Sequence, residues 1–178
     1  MSVAISSGHG RFLTGAVGQS NEIEHLQARR MLKSLREAHP DLLTFNDDAS
    51  RTVAANIETL TRWHRDVLPS PVLNVSVHFN AFNRSVGGTE TLWHHDGMRE
   101  VADSITDVVV GALGTRRRNS VRRNDLGFLR APNSVLIEVC FIDSIEDMRL
   151  YRKNYSALVE GLAKFFKEYD SWAKSMRA

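Results

Sequence analysis

Residues 71–81 read Pro71-Val72-Leu73-Asn74-Val75-Ser76-Val77-His78-Phe79-Asn80-Ala81, and this stretch decides the predicted fold. Its apolar, β-branched run predicts a buried strand near the centre of a sheet. Alternation along a strand places Asn74, Ser76 and His78 on one face and the apolar side chains on the other. His78 therefore stands at the carboxyl end of the strand, where open α/β sheets build their sites. Taken alone, such a histidine is more often a core residue hydrogen-bonded to the backbone.

Composition and charge limit the class of protein. With 178 residues, 42% hydrophobic and 25% charged, the chain is long enough for one globular domain with a full-sized core. The net charge of +2 is compatible with an anionic polymer as partner but does not require one. Cys140 is the only cysteine, which excludes an intrachain disulfide and a cysteine-rich zinc knuckle. No apolar run approaches the roughly 20 residues of a membrane span, and the first residues lack the features of a signal peptide.

The remaining patterns predict alternating strands and helices. Further strands are predicted at residues 3–6, 41–45, 89–94 and 134–143. Helices are predicted after Asn21, which is the expected N-cap, and at about 51–67, 98–113, 146–147 and 155–173. This alternation is typical of an α/β domain with a mostly parallel central sheet of about six strands and helices on both faces. On the helix at 51–67, His64 is expected to be exposed, and the buried stripe is expected to comprise Val53, Ala54, Ile57, Leu60, Trp63 and Val67.

Two more residues lie where a site could form. His9 follows the first strand between two glycines, which let the backbone turn sharply and leave the imidazole at the strand end. A solvated turn residue is an equally good interpretation of His9. Glu24 lies one helical turn before Ala28 on the buried face of the next helix, so its carboxylate can point toward the strand ends. Glu22 points about 200° away from it, and either glutamate alone is more simply explained by the helix dipole.

The strand predicted at 134–143 carries one carboxylate, Glu138, within an apolar run. A buried ionised carboxylate costs several kcal/mol or more unless it is paired. Glu138 is therefore expected to be paired with a cation or metal, or kept protonated for a purpose. A structural ion pair is the alternative. Cys140 shares this face, but no base is evident to activate it, so a small buried side chain is expected.

Two further groups, the arginines at 116–123 and the pair His94-His95, are weaker candidates for a site. Five arginines occur within residues 116–123 and could contact phosphates. Because no aromatic residues or nucleic-acid motif accompany them, a solvated loop or the rim of an anionic substrate site is favoured. His94 and His95 are adjacent, and neighbouring residues of a strand face opposite ways, so the pair cannot easily bind one metal ion.

His9, His78, Glu24 and Glu138 together form a chemically coherent set. Two imidazoles and one carboxylate are the ligands of an open catalytic zinc site. A second carboxylate that does not bind the metal is what such a site needs to accept a proton from water. The ligands need not be close in sequence if all come from one edge of a sheet.

These blocks resemble the zinc-dependent N-acetylmuramoyl-L-alanine amidases, most closely the catalytic domains of phage endolysins. The resemblance runs from about residue 3 to 168 in the family's order, and it rests on Ser7-Gly8-His9-Gly10, Glu24, residues 76–81, Gly88-Thr89-Glu90 and residues 135–143. It implies that one Zn²⁺ per chain is bound by His9, Glu24 and His78, with Glu138 as the catalytic carboxylate. It implies hydrolysis of the amide between N-acetylmuramic acid and L-alanine of the peptidoglycan stem peptide, with Asn80 and Glu90 supporting the substrate groove.

Two features depart from the family. Its members usually have an aspartate-proline-glycine-histidine run where this chain has Ser6-Ser7-Gly8 before the histidine, as some phage enzymes do. The local sequence also allows Glu22 to be aligned with the family's acidic ligand. Glu24 is preferred because it keeps the apolar residues of the helix in the family's core positions.

The resemblance also sets expectations for the whole protein. One catalytic domain is expected over residues 1–178, with its core at about 3–168, a basic helix end at 169–178 and no separate wall-binding domain. Peptidoglycan is the expected partner, with no nucleic acid and no membrane span, and the protein is expected to be a monomer. Without a signal peptide, it is expected to be made in the host cytoplasm and to act on the wall after release. The alternatives are a wall-binding module with a degenerate site, another zinc hydrolase, and a basic nucleic-acid-binding protein.

Overall fold

The strand predicted at residues 71–81 forms and lies inside a six-stranded sheet. In the computed structural model, which describes residues 2–176, the strands in chain order are β1 (Val3–Ser7), β2 (Leu43–Phe45), β3 (Leu73–Asn80), β4 (Glu90–Trp93), β5 (Val121–Arg122) and β6 (Ser134–Phe141). The helices are α1 (Glu24–Ala38), α2 (Val53–Asp66), α3 (Arg99–Leu113), α4 (Ile145–Lys153) and α5 (Tyr155–Ser175). Short 3₁₀ turns lie at Asp96–Met98 and Gly127–Arg130.

The sheet order is β2-β1-β3-β6-β4-β5. The first four strands in this order run parallel, and β4 pairs antiparallel with β6 while β5 runs parallel to β4. The carboxyl ends of β1, β3 and β6 therefore meet the amino end of β4 at one edge. The predicted fold, an α/β domain with a mostly parallel sheet of about six strands, is confirmed.

Helices cover both faces of the sheet, as predicted. The larger core lies on the face packed by α1, α3, α4 and α5, and it includes Val75 of β3 and Ile137 of β6. A smaller core on the other face joins Leu60 of α2 to Leu136 of β6 and to the 3₁₀ turn at Gly127–Arg130. Because strand residues alternate between faces, Glu138 lies on the same side as Leu136, toward the smaller core.

The predicted orientation of α2 is wrong. Val53 and Ile57 are exposed, and His64, which was expected at the surface, is buried. The reason lies in the strands beneath the helix, since β1 and β3 turn polar side chains toward α2. The Nδ1 of His64 lies 2.8 Å from Asn74 Oδ1, and its Nε2 lies 2.9 Å from Ser6 Oγ. An apolar stripe cannot satisfy these groups, so a buried polar contact replaces it.

The start of α1 also differs from its prediction. Asn21 has a left-handed φ of 63° and does not cap the helix. The N-cap is Ile23, whose side chain makes no capping hydrogen bond. The first helical N–H groups instead donate to the preceding loop, Glu24 to the carbonyl of Ala16 (3.0 Å) and His25 to that of Thr14 (3.3 Å). Backbone carbonyls thus accept the hydrogen bonds at the start of α1, where an asparagine side chain was predicted to accept them.

The segment predicted as a loop at 116–123 contains β5, which lies at the edge of the sheet. The basic end expected at 169–178 begins within α5, while residues 177–178, and Met1 at the other end, lie outside the described residues. None of the helices between residues 2 and 176 combines the length and apolar character needed to span a membrane.

Candidate functional site

Three side chains converge at the carboxyl edge of the parallel strands. His9 lies just after β1, His78 lies near the end of β3, and Glu24 is the first residue of α1. The Oε1 of Glu24 lies 3.0 Å from His9 Nε2 and 3.0 Å from His78 Nδ1. The donor atoms of the three residues all lie within 4.8 Å of one another, and no other such group of His, Cys, Asp or Glu occurs in residues 2–176. The structure therefore brings together the three residues that the sequence nominated.

The backbone holds the Glu24 carboxylate in place. Its Oε2 accepts a hydrogen bond from the N–H of Ala16 (2.7 Å), and its Oε1 accepts one from the N–H of Phe79 (3.1 Å). Burial raises the pKa of Glu24, but hydrogen bonds and charges from His78 and His9 outweigh it and hold the pKa well below its usual range. Glu24 is thus an ionised carboxylate fixed between two imidazoles.

Glu22 lies elsewhere. Its carboxylate forms an ion pair with Arg152 on α4, so it is not the carboxylate that lies between His9 and His78. The difference follows from the helix start: Glu24 is the first residue of α1, while Glu22 precedes it in the loop. The local sequence alone could not show which glutamate lies between the histidines, because both precede or begin the same helix.

Two glycines leave the space that the site occupies. A Cβ on Gly8 would lie 2.0 Å from Nε2 of His78, and a Cβ on Gly15 would lie 2.5 Å from Oε2 of Glu24. Gly15 also has φ +66°, a conformation that L side chains rarely adopt. The backbone therefore approaches His78 and Glu24 more closely than any other residue would allow.

Glu138 faces the same edge from β6. It is the direct cross-strand neighbour of His78 on one side and of Glu90 on the other. Although the residue is partly exposed, its Oε2 is buried and has no hydrogen-bond partner among the described residues. Burial raises the pKa of Glu138 to about 8, the charges of Glu24 and Glu90 add to this effect, and Arg123 opposes it. The alternative of a structural ion pair is wrong, because no cation lies within salt-bridge distance of Glu138 in residues 2–176.

Asn80 and Glu90 form a polar chain beside Glu138. The Nδ2 of Asn80 donates to Oε1 of Glu90 (2.9 Å), and the Nε of Arg118 donates to Oε2 of Glu90 (3.2 Å). Sequence reasoning assigned Asn80 and Glu90 to the groove but did not single out Arg118. Alternation in the sequence could have separated these arginines. In an extended segment Arg116 and Arg118 face one side, and Arg117 faces the other.

The remaining candidates are not among the three converging residues. Cys140 is the small buried side chain that was expected, and burial raises the pKa of its thiol well above the usual value. The Nδ1 of His94 lies 3.2 Å from the carbonyl oxygen of Arg123, away from the three converging residues. Four of the five arginines in 116–123 pair with carboxylates, namely Arg117, Arg118, Arg122 and Arg123. This pairing favours a structural or substrate-rim role over a phosphate-binding patch.

The converging residues fit a zinc ion. Two imidazole nitrogens and one ionised carboxylate oxygen are a donor set that zinc uses in catalytic sites. The Nε2 of His78, which points away from Glu24, lies 3.1 Å from Ser76 Oγ. Such a contact orients the ring and fixes which nitrogen faces the other donors.

A family model described as N-acetylmuramoyl-L-alanine amidase matches residues 3–166 of this chain. An uncharacterised protein of Bacillus subtilis is 27% identical over 93% of this chain and 85% of its own length. An uncharacterised protein of Clostridium perfringens is 28% identical over 89% of this chain. The match covers 49% of the Clostridium perfringens protein, so this chain spans about half the length of that relative.

Solved structures share the fold. An N-acetylmuramoyl-L-alanine amidase from Clostridium difficile 630 superposes with a TM-score of 0.79 at 22% identity, over 96% of this chain and 97% of that one. The catalytic domain of an endolysin targeting Clostridium difficile superposes with a TM-score of 0.78 at 23% identity, over 95% of this chain and 96% of that one. At this level of identity the likeness extends to the fold.

Proposed function

The chain belongs to the N-acetylmuramoyl-L-alanine amidase family, and from this premise we propose that it is a zinc-dependent peptidoglycan amidase. The bond cut is the amide between the lactyl group of N-acetylmuramic acid and L-alanine of the stem peptide. One Zn²⁺ per chain is held by His9, Glu24 and His78. Zinc held by such ligands polarises a carbonyl and lowers the pKa of a bound water molecule to about 7.

Glu138 is the proposed catalytic carboxylate. Its pKa of about 8 lies near neutrality, where a carboxyl group can both accept a proton from the attacking water and return one to the leaving amine. A zinc ion at His9, Glu24 and His78 would lower the pKa of Glu138, because a nearby positive charge favours the ionised carboxylate. The ionised form is the one that can accept a proton from water. Asn80 and Glu90, which are hydrogen-bonded to each other beside it, are proposed to line the substrate groove.

The observation that carries this proposal is the convergence of Glu24 with two imidazoles next to the unpartnered Oε2 of Glu138. A wall-binding module would have no use for this arrangement, because a buried acceptor without a partner costs about 1–3 kcal/mol. Catalytic groups are where such costs are tolerated.

The experiment measures bound zinc and the appearance of stem peptides with a free N-terminal L-alanine amine after digestion of purified peptidoglycan. Wild type is expected to bind about one zinc per chain and to cleave the amide. His78→Ala should lose zinc and activity together. Glu138→Gln should keep zinc and lose activity by at least about a hundredfold, since a proton-transfer group contributes 10²–10⁴-fold.

Glu24→Gln and Glu22→Gln form a matched pair. The first should lose zinc, whereas the second should keep zinc and activity, because Glu22 pairs with Arg152 away from the histidines. A wild-type protein that binds no zinc, or a Glu138→Gln variant of full activity, would contradict the proposal.

We further propose that the protein acts as a phage-type endolysin, a monomer made in the host cytoplasm that reaches the wall after release. The support is the Ser6-Ser7-Gly8 run before His9, a feature shared with some phage enzymes. Expression inside a bacterium should cause no lysis until the membrane is permeabilised, and the Glu138→Gln variant should cause none even then. Lysis without permeabilisation would contradict this role. The molar mass in solution, measured by light scattering, tests whether the protein is a monomer.

A further inference from the structure

Arg116 and Arg118 are presented by a segment fixed to the start of β4. The N–H of Thr89 donates to the carbonyl of Arg116 (2.9 Å), and the N–H of Arg118 donates to the carbonyl of Thr89 (3.0 Å). This parallel bridge keeps the segment extended, so alternate side chains face opposite sides. Arg117 faces α3, where it pairs with Asp103 and Asp107. Arg116 and Arg118 are therefore directed to the opposite side.

The positive charge on that side is incompletely balanced. Arg116 forms no ion pair within residues 2–176. Arg118 uses its Nε for Glu90, and its two terminal nitrogens donate no hydrogen bond to any described residue. An adjoining cleft of about 340 Å³ is lined by Glu90, Arg116, Arg117, Arg118, Asn119 and Val121. Guanidinium groups with free terminal N–H donors fit a carboxylate in a two-point arrangement.

The cleft continues the row of site residues. Glu138 and Glu90 are direct neighbours across β6 and β4, so their Cβ atoms lie roughly 5 Å apart. The Nε of Arg118 lies 3.2 Å from Oε2 of Glu90. Glu90 is therefore the single residue that separates Arg118 from Glu138, and a short peptide bound at Glu138 can reach the cleft.

We infer that Arg118, assisted by Arg116, is a specificity-determining residue that binds the free α-carboxylate of the stem residue after L-alanine. This inference rests on the proposed amidase function and adds the part of the substrate that is read. The stem peptide, on one side of the scissile amide, carries carboxylates. The N-acetylated glycan, on the other side, is uncharged. The carboxyl of L-alanine is itself in an amide bond, so the next stem residue is the first that can present a free carboxylate. A basic cleft beside Glu138 and Glu90 therefore matches the peptide side of the bond.

The test uses two N-acetylmuramoyl tripeptides that differ only in the second stem residue, which carries either a free α-carboxylate or its carboxamide. Wild type is expected to show about tenfold higher kcat/KM on the carboxylate substrate, through KM, the effect of one charge-assisted contact in a partly exposed site. Arg118→Gln should abolish this preference, Arg116→Gln should reduce it, and Arg118→Lys should retain part of it.

Arg122→Gln is the matched control, since Arg122 pairs with Asp96 and does not line the cleft, and it should keep the full preference. A merely structural Arg118 would lower kcat/KM equally for both substrates, and that result would overturn the inference. Equal KM values for the two substrates in wild type would overturn it as well. Failure of wild type to cleave either substrate would instead refute the amidase function, so the two failures are distinguishable.

Discussion

At the scale of single residues, the site depends on glycines as much as on its charged groups. Gly8 and Gly15 let the backbone pass against His78 and Glu24 at distances that no Cβ would allow. The turn after β1 can therefore deliver His9 to the same place as a histidine from β3. The sequence shows glycines beside His9, but only the folded chain reveals that Gly8 approaches a histidine 70 positions later.

Gly8→Ala should displace the His78 ring and weaken zinc binding at least about tenfold, the scale at which altered support of a ligand acts. The cause is the 2.0 Å approach between the added Cβ and His78 Nε2. Zinc titration with a competing chelator measures the effect. Gly97→Ala is the control, because a Cβ there meets no atom within 4 Å. Wild-type zinc affinity in Gly8→Ala would contradict the steric role of this position.

His64 sets a pH limit on stability. Burial lowers the pKa of His64 to about 4, against 6.5 for an exposed histidine, and the hydrogen bond with Asn74 only partly opposes the shift. Between these pH values the unfolded chain binds a proton that the folded chain excludes, so stability should fall as pH drops from 6.5 to 4. The full cost is on the order of 3 kcal/mol.

Denaturant unfolding at pH 7, 5.5 and 4.5 measures this effect. His64→Gln, which keeps a polar side chain without an ionising group, should be less stable at pH 7 but should show a smaller loss across this window. The slope attributable to His64 is the difference between the two proteins. An identical pH dependence in the variant would show that other groups cause the loss.

At the scale of elements, the loop between β3 and β4 is held by acidic residues that follow β6. The Oδ2 of Asp143 accepts hydrogen bonds from the N–H groups of Phe82 (3.0 Å) and Arg84 (2.9 Å). Arg84 has a left-handed φ of 67°, so these bonds stabilise a conformation that arginine disfavours. Asp147 similarly accepts from the N–H of Gly88 (2.8 Å). The loop joins Asn80 to Glu90, the two residues proposed to line the substrate groove.

Asp143→Ala should reduce stability by about 1–3 kcal/mol, because it removes a charged acceptor from two backbone donors. It should also lower amidase activity while zinc content stays unchanged, since the ligands lie outside this loop. Unfolding midpoints, zinc content and cleavage rates measure the three effects. Asp48→Ala removes an exposed ion pair with Arg29 and should change stability by less than about 0.5 kcal/mol. Equal effects of the two substitutions would contradict the anchoring role.

Elements with strong periodicity were predictable, and contacts between elements were not. The alternation in residues 71–81 and the carboxylate within β6 identified the central strands and their polar edge. The inward face of α2 could not be predicted, because it depends on Ser6 and Asn74 of the strands beneath it. The start of α1 depends on the carbonyls of Thr14 and Ala16, and the placement of Arg118 depends on a backbone bridge to Thr89. All of these contacts join different elements or loops, and the periodicity within one element does not reveal them.

At the scale of the whole molecule, the candidate metal site joins three separate elements. His9 follows β1, Glu24 begins α1 and His78 belongs to β3, and the loop at residues 14–16 is tied to the same carboxylate. These groups approach one another only in the folded chain. Zinc binding should therefore stabilise the fold by linkage, because the unfolded chain offers no preformed site.

Removal of zinc by a chelator should lower the melting temperature of wild type. Free zinc at about one hundred times its dissociation constant stabilises by roughly 2.7 kcal/mol. For a chain of this size that amounts to about 5–10 °C. His78→Ala should show little or no zinc-dependent shift, whereas Glu138→Gln should show the wild-type shift because it keeps all three proposed ligands. A shift of equal size in His78→Ala would mean that zinc binds and stabilises the molecule at other groups, and His9, Glu24 and His78 would no longer be its ligands.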